Sequence, residues 1–226
     1  ESNMKAMILA AGYGRRLLPL TKETPKPLLR VSNKSLIQRN IGILLDSGFD
    51  ELVINTAYLG NMIKDHVTKY FPSAKIQFSE EEIPLGTGGG VLKALKLLDT
   101  KPFLLVNSDI CHEIDINSFR KSTESAHLVG VINPDHNPDG DFSLEDGVVV
   151  IKPGQNDYTW SGISIIHPAI FDDIESKEST FDIWNTVLAK HIQNNTVTGE
   201  VTNSNWIDIG TVDRLELANN IYKDEN

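Results

Sequence analysis

The chain reads as an α/β fold in which a mixed, mostly parallel central sheet is flanked by helices. Three observations carry that reading. Apolar runs of strand length alternate with amphipathic stretches of helix length through the first half. The first run, Met7-Ile8-Leu9, breaks at once into a small-residue loop, Ala11-Gly12-Tyr13-Gly14. Residues 102–106 are apolar throughout, as a strand covered on both faces must be.

Taken in order, residues 7–9 form the first strand. Residues 35–47 place Leu36, Ile37, Ile41, Leu44 and Leu45 at helical spacing and stop at Gly48. Residues 51–55 are a second strand, 58–70 a helix, 75–78 a third strand, 89–98 a helix and 102–106 a fourth strand, joined by right-handed crossovers. The second half changes character. It reads as a strand over 127–132, a hairpin over 141–151 turning at Glu145-Asp146-Gly147, and a strand over 160–166. A helix over 183–192, a short strand near Val197 and a helix over 211–222 follow, with Thr211 as N-cap and Asp213 at the positive end of the dipole. One domain over 4–222 accounts for this, with halves of about 4–110 and 111–222. Residues 1–3 precede a Met-Lys start and stand outside the fold argument, and the polar end, 223–226, is expected to fray.

A chain of 226 residues with a net charge of −10 argues against non-specific nucleic-acid binding, which needs clustered Lys and Arg. The single cysteine, Cys111, cannot form an intrachain disulfide, which suits a reducing cytoplasm. No apolar run reaches membrane-spanning length and no leader pattern is evident, so neither a membrane span nor a signal peptide is expected, and no protein partner is evident from the sequence.

Against that acidic background Arg15, Arg16 and Lys26 gather around the glycine loop, which looks like a phosphate cradle. The dinucleotide fingerprint fails here, because Leu17 stands where its third glycine should be and the second strand ends in Asn55 instead of an acid.

Leu9-Ala10-Ala11-Gly12-x-Gly14-x-Arg16-Leu17 with Thr24-Pro25-Lys26-Pro27-Leu28 resembles the sugar-1-phosphate nucleotidyltransferase family. Further family marks follow in order: Leu85-Gly86-Thr87-Gly88-Gly89, Val106-Asn107-Ser108-Asp109, and Trp206-Ile207-Asp208-Ile209-Gly210-Thr211. The resemblance implies a Rossmann-like nucleotidyltransferase fold and release of pyrophosphate as a sugar 1-phosphate attacks a nucleoside triphosphate. Within the family, Pro84–Gly90 and Trp160-Ser161-Gly162-Ile163-Ser164 look like the short uridylyltransferases that act on N-acetylmuramate 1-phosphate in peptidoglycan recycling. Mannose-1-phosphate guanylyltransferases share much of the pattern and are the alternative; a non-catalytic nucleotide-sugar-binding protein is a further one.

The nucleophile of such a reaction is a phosphate monoester, already mostly dianionic near neutral pH, so no general base is needed. Positioning and cations suffice. Asp109, just past an apolar strand, and Asp208, between Ile207 and Ile209, are the expected Mg²⁺ ligands. Arg16 and Lys26 are assigned to the triphosphate, with Lys26 at the α-phosphate, and Ala10, Ala11, Gly12 and Gly14 to its backbone cradle. The resemblance implies base reading by Gly86, Thr87 and Gly88 together with Glu81, although Glu80-Glu81-Glu82 also reads as an exposed charge run. It implies a sugar pocket at Ser161 and Gly162, with Asn133 and Asp141 as further candidates.

Overall fold

The computed structural model describes residues 3–175 and 179–225; Glu1, Ser2 and Asn226 lie outside them. The strands are β1 (Ala6–Leu9), β2 (Arg30–Val31), β3 (Lys34–Ser35), β4 (Glu51–Thr56), β5 (Lys75–Glu80), β6 (Phe103–Asn107), β7 (Ile110–His112), β8 (Ala126–Ile132), β9 (Ser143–Glu145), β10 (Val148–Val150), β11 (Tyr158–Ile166), β12 (Val197–Val201) and β13 (Trp206–Asp208). The helices are α1 (Leu36–Asp46), α2 (Gly60–Tyr70), α3 (Gly86–Ala94), α4 (Ala189–Gln193) and α5 (Val212–Ile221).

One nine-stranded sheet runs through both halves in the order β5-β4-β1-β6-β11-β8-β12-β10-β9. It is parallel across β5-β4-β1-β6 and mixed beyond, because β11 enters antiparallel to both β6 and β8. Successive side chains point to opposite faces, and the core shows it. Ile8, Ile54, Leu104 and Val106 pack with Ile37, Ile41 and Leu44 of α1 and Ile63 of α2. Met7, Val53, Phe103 and Leu105 pack on the other face with Val91 of α3, Phe142 and Leu188. Burying each large apolar side chain in this way contributes roughly 1.5–3 kcal/mol. Ser35 caps α1 by accepting from Gln38 N at 3.1 Å, and Thr211 caps α5 by accepting from Arg214 N at 3.3 Å.

Several expectations need correction. Helix α3 starts at Gly86, three residues ahead of the 89–98 reading, and ends in a 3₁₀ turn over Leu95–Leu97. The expected helix over 183–192 opens as a wide π turn over Trp184–Leu188 before α4. Near the C-terminus Glu225 pairs with Arg39 at 2.7 Å, and the Arg39 guanidinium also lies 5.0 Å from the centre of the Tyr222 ring. The pair β7–β13 carried too little alternation to be read as strands. It matters most, because its antiparallel register sets Asp208 opposite Ile110.

Candidate active site

The carboxyl ends of β1 and β6 open a cleft of about 420 Å³. Ser108 N donates to Leu9 O at 3.2 Å, tying the two strand ends together. Gly14, at φ 65°, turns the chain into a 3₁₀ turn over Arg15–Leu17, and its carbonyl accepts from Thr21 Oγ1 at 2.6 Å. A Cβ at Gly14 would meet Thr21 Cγ2 at 2.9 Å, so the turn admits glycine for both reasons. Ala10, Ala11, Gly12, Gly14, Arg16, Lys26, Gly86 and Thr87 all line this cleft, as expected of a nucleotide site. The Arg15 guanidinium lies over Tyr13, 4.6 Å from the ring centre, and Arg16 Nη2 would lie 3.3 Å from a Cβ at Gly210, which lines the same cleft. Cations held open in a chain of net charge −10 mark where an anion belongs.

Lys26 sits in a 3₁₀ turn over Lys26–Leu28 that Pro25 enters in extended conformation and Pro27 stiffens. Its Nζ lies 2.8 Å from Asp109 Oδ2. The loop carrying Asp109 is fixed from behind by Asn40, buried on α1, whose Nδ2 donates to the carbonyls of Ser108 and Ile110 on either side of the aspartate, at 3.4 and 3.0 Å. Sequence reasoning passed over Asn40, although a polar residue on an otherwise apolar helix face was the available signal.

A second cavity, of about 320 Å³, lies on the other side of Asp109 and is lined by Asn107, His136, Asp141, Ser161, Gly162 and Asp208, among others. Asn107 and Asp109 line both spaces. Asp208 is held by Arg214, whose Nε donates to its carbonyl at 2.9 Å and whose Nη2 donates to Oδ2 at 3.1 Å. Its Oδ1 is buried and lies 2.8 Å from His136 Nε2, but without the angles of a hydrogen bond. That orphaned carboxylate oxygen, beside a second carboxylate from Asp109, fits a hard divalent cation that takes its remaining ligands from water and phosphate. No group of three or more His, Cys, Asp or Glu side chains able to hold a metal occurs among the described residues, which leaves a two-carboxylate site as the candidate.

Four expected site residues have other work. Glu81 does not line the cleft: its carboxylate accepts from Asn55 Nδ2 and from Leu85 N, both at 2.9 Å, and burial pushes its pKa up. Gly88 is buried with its N–H donated to Phe181 O at 3.0 Å, because α3 packs so closely on the 179–182 segment that a Cβ there would run into the Phe181 ring. Asn133 lines neither space; it donates to Asn156 O at 2.8 Å and accepts from Thr159 Oγ1 at 2.8 Å, stapling the loop before β9. Ser161 lines the second cavity, yet its hydroxyl is spent on Val129 O at 2.6 Å and its carbonyl accepts from Trp206 Nε1 at 2.9 Å. Asp141 accepts from Asn137 Nδ2 and Trp160 N at 3.1 and 2.8 Å, which orients it at the wall. Cys111 is a buried free thiol with its pKa pushed up to about 11, inert in the sense that matters here.

The family model for nucleotidyl transferases matches residues 5–225. The chain belongs to that family. It is 43% identical to N-acetylmuramate alpha-1-phosphate uridylyltransferase of Neisseria meningitidis serogroup B, over 95% of this chain and 96% of that one. It is 32% identical to the catalytic subunit beta of mannose-1-phosphate guanylyltransferase from Dictyostelium discoideum, but spans only 54% of that longer protein. Among solved structures, HddC from Yersinia pseudotuberculosis superposes with a TM-score of 0.83 at 27% identity, over 97% of this chain and all of that one. The family resemblance and the fold class read from the motifs are thereby borne out.

Proposed function

We propose that this nucleotidyl transferase forms UDP-N-acetylmuramate and pyrophosphate from UTP and N-acetylmuramate 1-phosphate, in the cytoplasm and in the service of peptidoglycan recycling. The observation that carries the reading is the shared wall: Asp109 lies between a cation-lined cleft and a polar cavity, so a triphosphate in one meets a sugar phosphate in the other. Similarity to the Neisseria relative along its whole length favours this substrate pair.

In the mechanism that follows, the glycine loop and Arg16 hold the outer phosphates and Lys26 faces the α-phosphate. Asp141, Ser161 and Gly162 wall the cavity that takes the sugar. His136, whose Nε2 lies 2.8 Å from Asp208 Oδ1, lines the same cavity. The phosphate oxygen of the sugar 1-phosphate forms a bond to the α-phosphorus as the bond to pyrophosphate breaks, with no proton to remove. Asp109 and Asp208 would hold Mg²⁺, which supplies charge neutralisation between the two polyanions. Lys26 and Arg16 take up charge developing on the equatorial and leaving oxygens.

Pyrophosphate release measured over a panel of triphosphates and sugar 1-phosphates tests the proposal. UTP with N-acetylmuramate 1-phosphate should give the highest kcat/KM; preference for GTP with mannose 1-phosphate, the pair favoured by similarity to the guanylyltransferases, would replace it.

A further inference from the structure

We propose that Arg214 is a positioning residue: it clamps Asp208 through two acceptors and leaves the third, Oδ1, for a divalent cation. This rests on the role proposed above for Asp109 and Asp208 as the carboxylates of that cation. The clamp is a fork. Arg214 Nε donates to the Asp208 carbonyl at 2.9 Å, and Nη2 donates to Oδ2 at 3.1 Å. The guanidinium holds these two donors in one plane, so the backbone and the carboxylate of Asp208 are fixed relative to each other. A lysine, being a point charge, could not do this. The Arg214 side chain is 15% exposed, so water replaces it poorly. Asp208 Oδ1 is buried and has no hydrogen-bond partner among the described residues; His136 Nε2 lies 2.8 Å away but out of line for one.

Two neighbours are arranged around the clamp. Thr211 caps α5, which makes Arg214 the third residue of that helix. Glutamate or glutamine there would complete a capping box with Thr211, and a carboxylate would suit the positive end of the helix dipole. This chain places a cation at that end and sends its side chain back to Asp208. The second neighbour is Gly210. A Cβ there would run into Arg214 Nη2 and stand 3.0 Å from its Cζ, so the guanidinium fills the space that any side chain would need.

Backbone pairing brings the two aspartates together without Arg214. Ile209 N donates to Asp109 O at 2.7 Å, and the β7–β13 register sets Asp208 opposite Ile110. Pairing leaves open the rotation of the Asp208 carboxylate about its side-chain bonds, and the fork removes that freedom. A guanidinium beside a carboxylate also repels an incoming cation. Orientation and repulsion therefore call for opposite effects when the fork is broken, which separates a positioning role from a bystander charge.

The test is Mn²⁺ binding to the full chain without nucleotide, with the free ion read by electron spin resonance. Arg214→Met keeps the stem and removes the head. Arg214→Lys keeps the charge and removes the fork. Gly210→Ala leaves the arginine in the chain and drives its head out of the clamp. All three should raise the Mn²⁺ dissociation constant about ten-fold or more, the scale on which the partners of metal ligands act. The metal-free dissociation constant for UTP should stay within about two-fold in the two Arg214 variants, since Arg214 does not line the first cleft. A thermal melt reads any loss of stability separately. Asp208→Asn is the control for the site itself. A parent protein that takes up no Mn²⁺, or an Asp208→Asn protein that binds it as the parent does, removes the two-carboxylate site and the clamp with it. Where Asp208→Asn loses the ion but Arg214→Lys or Gly210→Ala keeps the parent's affinity, or any of the three variants binds Mn²⁺ more tightly, the site stands and the clamp is overturned.

Discussion

Lys26 Nζ and Asp109 Oδ2 lie 2.8 Å apart on the wall that divides the two cavities. Their side chains are 15% and 30% exposed, a setting in which an ion pair contributes roughly 0–1 kcal/mol. The pair is therefore weak as a brace and cheap to open. Lys26 can leave the carboxylate for a phosphate oxygen, and Asp109 is then free to take a cation, so the arrangement makes more sense as a rest position than as a stabilising bridge.

Asp109→Asn keeps a hydrogen-bonding group of the same shape and removes the charge. It should lower kcat by about 10³-fold or more, the scale expected when charge stabilisation at the reacting phosphorus is lost. The melting temperature should remain within a few degrees of the parent. Steady-state pyrophosphate release and a thermal melt decide it: retained activity at ordinary Mg²⁺ would remove Asp109 from the metal site.

Asn40 offers a contrasting case, in which stability and activity fall together. Asn40→Leu matches the size but withdraws Nδ2 from the carbonyls of Ser108 and Ile110. Leaving buried carbonyls unsatisfied should cost about 1–3 kcal/mol in urea unfolding. Turnover should drop as well, because the Asp109 loop loses its anchor. A variant that is less stable yet fully active would show that the loop holds its shape without Asn40.

Low pH should destabilise the fold through His112. Burial lowers its pKa from 6.5 to about 4, with Ile114 N donating to its neutral Nδ1 at 3.1 Å. The unfolded chain then binds a proton that the folded one refuses between those values, so stability falls as pH drops through the window and is recovered above 6.5. The full effect approaches about 3 kcal/mol below pH 4. His127 and His66, also lowered chiefly by burial, act in the same sense. His112→Gln should flatten the difference in unfolding free energy between pH 7.5 and pH 5; an unchanged slope would exclude His112 as its source.

Gly86 has a φ of 75°, and a Cβ there would collide with the Phe181 carbonyl. Gly86→Ala combines that strain with overpacking and should cost about 1–3 kcal/mol. It should also raise the KM for the triphosphate, because Gly86 lines the cleft. Chemical denaturation and a substrate titration read the two effects separately.

The parallel half of the fold was legible because β1, β4 and β6 are buried on both faces and α1 and α2 keep an apolar stripe. The glycine loop that lines the first cleft was legible because glycines and clustered cations stand out in an acidic chain. What escaped were features made by long-range pairing. Ile110–His112 and Trp206–Asp208 are too short to show a period, yet their pairing brings Ile209 N within 2.7 Å of Asp109 O and so assembles the two carboxylates. Asn55 was read only as the absence of an acid, when its amide links two loops. Glu81, Gly88 and Asn133 were read from motif position, which says nothing of the partners that occupy their polar atoms.

Everything proposed for the chemistry depends on one direct displacement at the wall between the cavities, with the sugar phosphate entering from one side and pyrophosphate leaving from the other. The configuration at phosphorus measures this most directly, using UTP chiral at a thio-substituted α-phosphorus. A single in-line attack inverts that centre in the nucleotide-sugar product. Retention would mean two successive displacements through a covalent enzyme intermediate, and would contradict the account.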